Sequence, residues 1–193
     1  MDKIKQFTIT RVKMKGFKAF KEEKEVHLGN TTYIYGANGQ GKTSIADAIA
    51  YAFCGVSFWG EKSTERLMSK GESQMCVEVD FVNKDGELFN LIRRKNGSTT
   101  TVTLNGHQMT KTNLVNIFAE KDIFLSLINP IYFIEKIASD GREFLQKLLP
   151  PISQEEILSK LSEQSRDLLE KESLLEPEYY IKTKRDELKA TDE

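Results

Sequence analysis

The feature that most constrains this chain is a glycine-rich segment that reads Gly36-Ala37-Asn38-Gly39-Gln40-Gly41-Lys42-Thr43. It fits the pattern G-x-x-x-x-G-K-[ST], a loop whose backbone amides cradle nucleotide phosphates. Its glycines permit backbone conformations that a side chain would forbid, and a helix that follows would direct its positive end at the phosphates. We expect Lys42 to reach the β- and γ-phosphates and act in catalysis, and the Thr43 hydroxyl to ligate Mg²⁺. The sequence therefore predicts a nucleotide site over Gly36–Ser44.

The flanking residues predict the strand and the helix that this loop requires. Residues 31–35 are β-branched and aromatic, which predicts a short buried strand. Residues 44–53 are alanine-rich, and Ile45, Ile49 and Phe53 share one helix face. Strand, loop and helix thus follow in the required order, and a chance match in a surface turn is the alternative.

Bulk composition narrows the class of protein. The chain has 193 residues, of which 39% are hydrophobic and 30% charged, which is typical of a soluble domain with an appendage. It contains no run of 18 apolar residues, and its first residues lack the apolar core of a signal peptide. We therefore expect a cytoplasmic protein without a membrane partner. Cys54 and Cys76 lack the spacing of a metal site and are expected to be free thiols.

Charge is distributed unevenly along the chain. Residues 152–193 hold seven Lys and Arg and twelve Asp and Glu, a net charge of −5, whereas the other residues hold 21 and 17, a net charge of +4. An acidic tail on a basic body is compatible with nucleic acid binding by the body. An ordinary solvated surface is the alternative.

The first half of the chain predicts strands besides the one before the loop. Loose alternation of apolar residues predicts strands over 4–14 and 25–28, and residues 75–105 predict an antiparallel meander with Asp-Gly and Asn-Gly turns. Asp80 ends a hydrophobic stretch, as the Mg²⁺-binding Asp of phosphate-loop enzymes does. The next residue is Phe81 instead of an acidic residue, and the stretch alternates, so we interpret Asp80 as a surface residue.

The second half predicts helices. Residues 55–71 suggest a polar loop with one helical turn, and residues 111–149 a helical region interrupted at Asn129-Pro130. Residues 152–176 predict a polar helix, and residues 179–193 a charged one after Pro177. Four leucines lie on the seam of a heptad pattern, namely Leu158, Leu161, Leu168 and Leu175. This favours a coiled coil that continues into a longer helix, with an ordinary frayed terminal helix as the alternative.

The loop and its surroundings resemble a known family. Gly-x-Asn-Gly-x-Gly-Lys-Thr is followed by Ser-Ile-x-Asp-Ala-Ile, and it lies about 35 residues from the start, after two strands joined by Gly-Phe-Lys-Ala-Phe. This arrangement resembles the N-terminal head segment of the SMC, SbcC and RecF group of DNA-maintenance ATPases, and is most similar to phage or bacterial SbcC-like members. The resemblance covers residues 4–53 by motif and residues 75–193 by layout.

The resemblance implies an α/β fold. It predicts a P-loop NTPase with an ABC-type head lobe, in which a mixed sheet with an antiparallel meander surrounds the P-loop helix. A helical subdomain and the start of an antiparallel coiled coil would follow. The implied domains are an ATP-binding lobe over 1–125, a helical segment with the position of a γ-phosphate-sensing Gln over 126–151, and the start of the coil over 152–193.

The resemblance also implies an ATPase whose site is divided. In this group a C-terminal segment supplies a Ser-Gly-rich signature and an Asp-Glu pair that binds Mg²⁺ and activates water, and two heads sandwich two nucleotides. These 193 residues contain neither a Leu-Ser-Gly-Gly-like signature nor a hydrophobic strand ending in Asp-Glu. We therefore expect the nucleotide-binding half of a DNA repair or recombination ATPase. It would bind ATP and Mg²⁺, form a homodimer of heads, and act on DNA, with a nuclease as a further partner. Alone it would hydrolyse ATP weakly or not at all.

Two further site residues follow from the resemblance. Lys18 occupies the position at which the group carries an Arg or Lys that faces the nucleotide phosphates or DNA; a solvated lysine is the alternative. Counting back from Arg142-Glu143, Asn129 occupies the position of the Gln that ligates Mg²⁺. The alternative for Asn129 is a residue that caps a turn before Pro130. Gln146, inside a predicted helix, is a weaker candidate.

Three other functions share the phosphate loop. An ABC transporter subunit would carry an aromatic stacking residue before the loop and a membrane partner, and the terminal coil and the lysine-rich first strands argue against it. A small-molecule or nucleotide kinase would complete its site within about 200 residues, with an Arg-rich lid. A non-hydrolysing module that dimerises on ATP binding is the third alternative.

Overall fold

The computed structural model describes residues 4, 6–149, 152–169 and 177–191, and the chain divides into two units, Met1–Phe144 and Leu145–Glu193. The first unit is built on a sheet of β1 (Phe7–Lys15), β2 (Lys24–His27), β3 (Gln74–Asn83), β4 (Leu88–Asn96), β5 (Thr99–Leu104) and β6 (His107–Gln108). Neighbouring strands are antiparallel, in the order β2-β1-β3-β4-β5-β6. The predicted opening strands and the meander are confirmed.

The helices are α1 (Lys42–Cys54), α2 (Lys111–Ile117), α3 (Lys121–Ile128), α4 (Pro130–Leu148), α5 (Gln154–Ser159), α6 (Glu163–Leu169) and α7 (Pro177–Thr191). A single 3-10 turn at Thr64–Leu67 lies in the connection after α1, as predicted. The predicted interruption of the helical region at Asn129 is confirmed as the boundary between α3 and α4. Within the described residues, no helix has both the length and the apolar content that a membrane span requires.

One face of the sheet packs against α1. Alternate residues of the strands are fully buried on this face, namely Val12, Met14, Val77, Val79, Phe81 and Leu91. From α1, the predicted apolar face contributes Ile45 and Phe53, which are buried, and Ile49, which packs against the same core. The Phe53 ring lies 4.7 Å from Phe124 and thereby joins the end of α1 to α3. Each such buried side chain contributes roughly 1.5–3 kcal/mol, so this core fixes α1 on the sheet.

Residues 31–35 are not a strand, and the prediction for this segment was wrong. They have no regular structure and no partner strand among the described residues, and Tyr33 and Tyr35 are 75% and 87% exposed. Their β propensity is real, but a strand forms only when a neighbour completes its backbone hydrogen bonds. The described sheet is consequently antiparallel throughout, instead of the mixed sheet that we expected.

The helix expected over 152–176 is interrupted. In the second unit α5 ends at Ser159 and α6 begins at Glu163, so Leu161 lies between two short helices and Leu168 is exposed. Ser162 accepts a hydrogen bond from the Ser165 amide, which starts a new helix three residues after the first has ended. Leu175 and Pro150-Pro151 lie outside the described residues. The coiled coil and the three predicted domain ranges stay predictions.

Arg11 holds three strands together on the opposite, outer face of the sheet. It lies on β1, and its guanidinium pairs with Glu25 of β2 over 3.0 Å, with Asp80 of β3 over 2.6 Å and with Glu78 of β3. Burial raises the pKa of Asp80, but hydrogen bonds from Arg11 and Asn90 outweigh this, and the pKa lies below its ordinary value of 3.8. Asp80 is thus half-buried and ion-paired instead of a free surface carboxylate.

We expect Arg11→Met to lower the free energy of unfolding by about 1–2 kcal/mol at pH 7, because it leaves three neighbouring carboxylates without their cation. The pKa of Asp80 is lowered in the folded state, so its contribution is complete above pH 3.8 and is lost as the pH falls below that value. The difference between the natural protein and the variant should therefore shrink toward pH 3.

Urea unfolding at pH 7 and pH 3 measures both effects. Lys84→Met is the matched control, because it removes one positive charge from an exposed turn between β3 and β4. An equal loss of stability in both variants, or a difference that persists at pH 3, would contradict this role of Arg11.

Candidate nucleotide-binding site

The glycine-rich segment forms an irregular loop that ends where α1 begins. Gly39 and Gly41 adopt left-handed backbone conformations, with φ of 83° and 85°. Glycine takes such conformations without the steric cost that other residues bear. A Cβ atom on Gly41 would also lie 2.6 Å from Cζ of Phe20. The loop therefore lies directly against the turn at residues 16–20, and both observations explain the glycine at this position.

The N-terminus of α1 is open to an anion. Gly41 occupies the N-cap position, no side chain caps the helix, and its first turn contains no acidic residue. The first amides of a helix have no acceptor within the helix, and together they carry a partial positive charge. Among the described residues, the amides of Gly39, Gly41, Lys42 and Thr43 form no hydrogen bond to another protein group. They can therefore donate to phosphate oxygens.

Lys42 folds back over the loop. Its Nζ donates to the carbonyl oxygens of Gly36 and Ala37, over 2.8 and 2.7 Å. The amide of Ala37 donates to Oε1 of Gln40 over 3.1 Å, which closes the loop from the other side. The ammonium thus lies at the loop itself, and two carbonyl oxygens hold it there without a carboxylate.

The other loop residues divide into exposed and buried ones. Asn38 and Thr43 are exposed, and within the described residues the Thr43 hydroxyl has no hydrogen-bond partner. Ser44 is buried, and its amide donates to the carbonyl of Gly41 over 3.0 Å. Thr43 is therefore the hydroxyl that a metal ion could reach, whereas Ser44 supports the start of the helix.

Lys18 lies in the turn that touches the loop, but its charge is already paired. Its Nζ contacts Oδ2 of Asp47, a residue of α1. Its backbone has a left-handed φ of 47°, which is uncommon for a lysine. The carbonyl of Leu67 accepts from its amide over 2.8 Å, and the Ser69 hydroxyl donates to its carbonyl over 2.9 Å. These two bonds hold the unusual backbone in place.

Asp47 lies beside the site instead of in it, and no role was predicted for this residue from the sequence. Its side chain is completely buried, and its second oxygen, Oδ1, accepts from the Phe58 amide over 2.9 Å. A buried carboxylate is costly unless it is paired and hydrogen-bonded. The signal in the sequence was a single acidic residue within the apolar, alanine-rich stretch 44–53.

Asn129 is a helix cap. It is 1% exposed, its Oδ1 accepts from the amides of Ile131 and Tyr132 over 3.1 and 3.2 Å, and its Nδ2 donates to the carbonyl of Phe58 over 3.0 Å. This is the capping alternative that the sequence left open, and the amide oxygen is used in it. The role of Asn129 as a Mg²⁺ ligand stays a prediction without support from these contacts. Gln146 is exposed on α4.

Comparison with known proteins identifies relatives of this chain. The family model of the AAA domain matches residues 11–193. The DNA replication and repair protein RecF of Acetivibrio thermocellus is 27% identical over 184 residues, which cover 84% of this chain and 47% of RecF. RecF of Desulforamulus reducens is 28% identical over 121 residues, 61% of this chain and 32% of RecF. The probable DNA double-strand break repair Rad50 ATPase of Aquifex aeolicus is 36% identical over 75 residues, 37% of this chain and 8% of Rad50.

Solved structures show the same relationship at the level of the fold. The recombination mediator protein RecF in its RecF-ATP structure aligns with a TM-score of 0.50 and 22% identity, over 56% of this chain and 29% of RecF. The RecF-ATPrS structure aligns with a TM-score of 0.52 and 18% identity, over 60% of this chain and 32% of RecF. The chain spans about a third to a half of the length of its RecF relatives. It belongs to the AAA domain family, within the SMC, SbcC and RecF-like group of ATPase heads.

Proposed function

We propose that this chain is the nucleotide-binding half of a DNA repair or recombination ATPase, and that it holds ATP at residues 36–44. The observation that carries the proposal is the open N-terminus of α1, where unpartnered amides and the Lys42 ammonium lie at one loop. Membership of a family whose named relatives act in DNA repair supports the choice of ATP and of this biological role.

Each loop residue has a chemical task under this proposal. The amides that lead into α1 donate to the β-phosphate, and Lys42 exchanges two neutral carbonyl oxygens for phosphate oxygens, whose charge makes stronger hydrogen bonds. The Thr43 hydroxyl is exposed in the first turn of α1 and is free to ligate Mg²⁺, whereas the neighbouring Ser44 is buried. Bound Mg²⁺ would neutralise charge on the phosphates during transfer to water.

We further propose that a C-terminal half completes the ATPase. Residues 31–35 support this, because they present unpaired backbone and a stacked pair of exposed rings, Tyr33 and Tyr35, whose centroids lie 6.3 Å apart. An apolar cavity of 600 Å³ lies beside them and is lined by Phe7, Phe118 and Phe124. A strand from another segment could pair with residues 31–35 and cover this cavity. The resemblance to the SMC, SbcC and RecF group adds that two such heads would dimerise around two nucleotides.

We expect the 193-residue chain to bind ATP-Mg but to hydrolyse it barely above the uncatalysed rate. Binding needs the loop, whereas hydrolysis also needs a carboxylate that activates water, and the sequence offers no strand ending in Asp-Glu. Lys42→Ala should weaken ATP binding by about 10- to 100-fold, the value of one or two charge-assisted hydrogen bonds.

Isothermal calorimetry and a phosphate-release assay measure the two quantities separately. Lys62→Ala, a charge-matched change in the loop after α1, should leave ATP affinity unchanged. Unchanged ATP binding in Lys42→Ala would contradict the proposed site at residues 36–44. Rapid ATP hydrolysis by the chain alone would contradict the proposal that a C-terminal half completes the ATPase. Binding without turnover, even when a C-terminal half is added, would instead favour the non-hydrolysing module.

We also propose DNA as a partner, on the basis of a basic groove at one end of the outer sheet face. The groove has a volume of 670 Å³, and its lining includes the cations Lys15, Lys21, Arg94 and Lys95 against one carboxylate, Glu72. Lys15 of β1 and Arg94 of β4 both lie opposite Cys76 of β3, so they share one row across the sheet.

The pairing of charges distinguishes this groove from the rest of the outer face. Arg11 and Lys13 on β1 each contact a carboxylate. Within the described residues, the four groove cations form no ion pair. Clustered cations without carboxylate partners are suited to the phosphates of a nucleic acid backbone.

The paired change Lys15→Gln and Arg94→Gln should weaken binding of a 30-base-pair duplex about tenfold at 0.1 M salt, because two phosphate contacts are lost. The slope of log K against log salt concentration should fall in magnitude by about two. Fluorescence anisotropy measures both, and Lys62→Gln with Lys84→Gln is the charge-matched control. If both double variants lost the same DNA affinity, the effect would be one of general charge, and the groove would be rejected as the DNA site. ATP binding, measured alongside, should not change.

A further inference from the structure

A continuous series of polar contacts runs from the turn beside the phosphate loop to the first turn of α4. Lys18 pairs with one oxygen of Asp47, and the Phe58 amide donates to the other over 2.9 Å. The Phe58 carbonyl accepts from Nδ2 of Asn129 over 3.0 Å, and Oδ1 of Asn129 accepts from two amides at the start of α4. These contacts connect segments that lie 29 and 71 residues apart in the sequence.

Phe58, which contacts both Asp47 and Asn129, belongs to a tight turn at residues 57–61. The Ser57 amide donates to the Glu61 carbonyl over 3.0 Å, and the Gly60 amide donates to the Ser57 carbonyl over 2.9 Å. The turn touches α4 a second time, because a Cβ atom on Gly60 would lie 2.7 Å from Cε2 of Tyr132. If Phe58 moved together with Asp47, the whole turn would therefore shift against α4.

Lys18 can change partners without a change in its backbone. The hydrogen bonds to Leu67 and from Ser69 fix the backbone, whereas the side chain is 31% exposed. Asp47 follows the N-cap Gly41 by six residues, which is about 9 Å along the helix axis. The turn that carries Lys18 also touches the start of α1, because Phe20 lies against Gly41. The flexible lysine side chain could therefore turn from Asp47 toward an anion at the start of α1.

We propose that Asp47 is a positioning residue that couples occupation of the phosphate loop to the 57–61 turn and to α4. The proposal rests on the proposed function, because the bound triphosphate supplies the anion that competes with Asp47 for Lys18. When Lys18 turns to the phosphates, the buried carboxylate keeps only the Phe58 amide as a partner. Asp47 and the turn must then readjust together, since a buried charge requires compensation.

Trp59 reports on this turn directly. It is the only tryptophan of the chain, it is 46% exposed, and its ring lies 5.7 Å from that of Phe58. We expect ATP-Mg to change the Trp59 emission of the natural protein, with a midpoint equal to the dissociation constant from calorimetry. Hydrogen exchange of the amides at 129–133 should change over the same ATP range.

Asp47→Asn separates coupling from binding. The Asn retains an acceptor for the Phe58 amide but no longer attracts Lys18, so ATP should bind as tightly as before or a few fold more tightly. The Trp59 response should nevertheless fall by at least about tenfold, because Lys18 no longer exchanges partners. If Asp47 had only a structural role, Asp47→Asn would lower the stability and the ATP affinity together. It would then not bind ATP with normal affinity while losing the Trp59 response.

Two further variants keep the test decisive. Lys18→Met breaks the same pair from its more exposed side, and should lose the Trp59 response while ATP binds a few fold more weakly; it decides the question if Asp47→Asn fails to fold. Asp80→Asn changes a half-buried carboxylate far from this series of contacts, which pairs with Arg11, and it should keep the full response.

A full Trp59 response in Asp47→Asn or Lys18→Met, or no response in a natural protein that binds ATP, would overturn the coupling and leave the proposed function intact. Absence of ATP binding by calorimetry would overturn the proposed function itself.

Discussion

Helix α1 is capped by the protein at one end only, and the rest of the site depends on this asymmetry. At its C-terminus the Gly55 amide donates to the carbonyl of Tyr51 over 2.8 Å, and Arg93 donates to the carbonyls of Ala52 and Phe53 over 3.1 and 3.4 Å. A cation at this end also complements the helix dipole. At the N-terminus no side chain caps the helix, and the amides of Gly41, Lys42 and Thr43 have no partner among the described residues. The core fixes the helix on the sheet, so the open end is held in one position.

Local signals in the sequence predicted the parts of the fold that local chemistry decides. The left-handed glycines of the loop, the periodic apolar face of α1 and the turns at Asp85-Gly86 and Asn96-Gly97 each involve a few neighbouring residues. Residues 31–35 failed for the opposite reason, since a strand is defined by its partner, and the segment lacks one among the described residues. The break between α5 and α6 was hidden because the heptad spacing of Leu158, Leu161 and Leu168 runs through it.

The site residues also divide into those that neighbouring sequence predicts and those that depend on tertiary contacts. Lys42 and Thr43 follow from one contiguous motif, but the partners of Lys18 and Asn129 are brought to them by the tertiary fold. The family position suggested that Lys18 faces phosphates, and the structure shows its charge on Asp47. The composition of residues 44–53 could have drawn attention to Asp47, because a carboxylate inside a helix that is mostly apolar must find a cation or lose much stability. It could not have identified which lysine supplies that cation.

The exposed segment 31–35 and the fixed helix α1 adjoin the two ends of the glycine-rich loop. The loop is anchored firmly at Gly41, where Phe20 packs against it, and weakly at Gly36, which follows an unpaired segment. If a partner strand orders residues 31–35, the loop loses less conformational freedom when nucleotide binds. By thermodynamic reciprocity, bound nucleotide then favours the pairing of that strand by the same free energy. An ATPase divided in this way would assemble and load its nucleotide as coupled events, without a separate signal between the two halves.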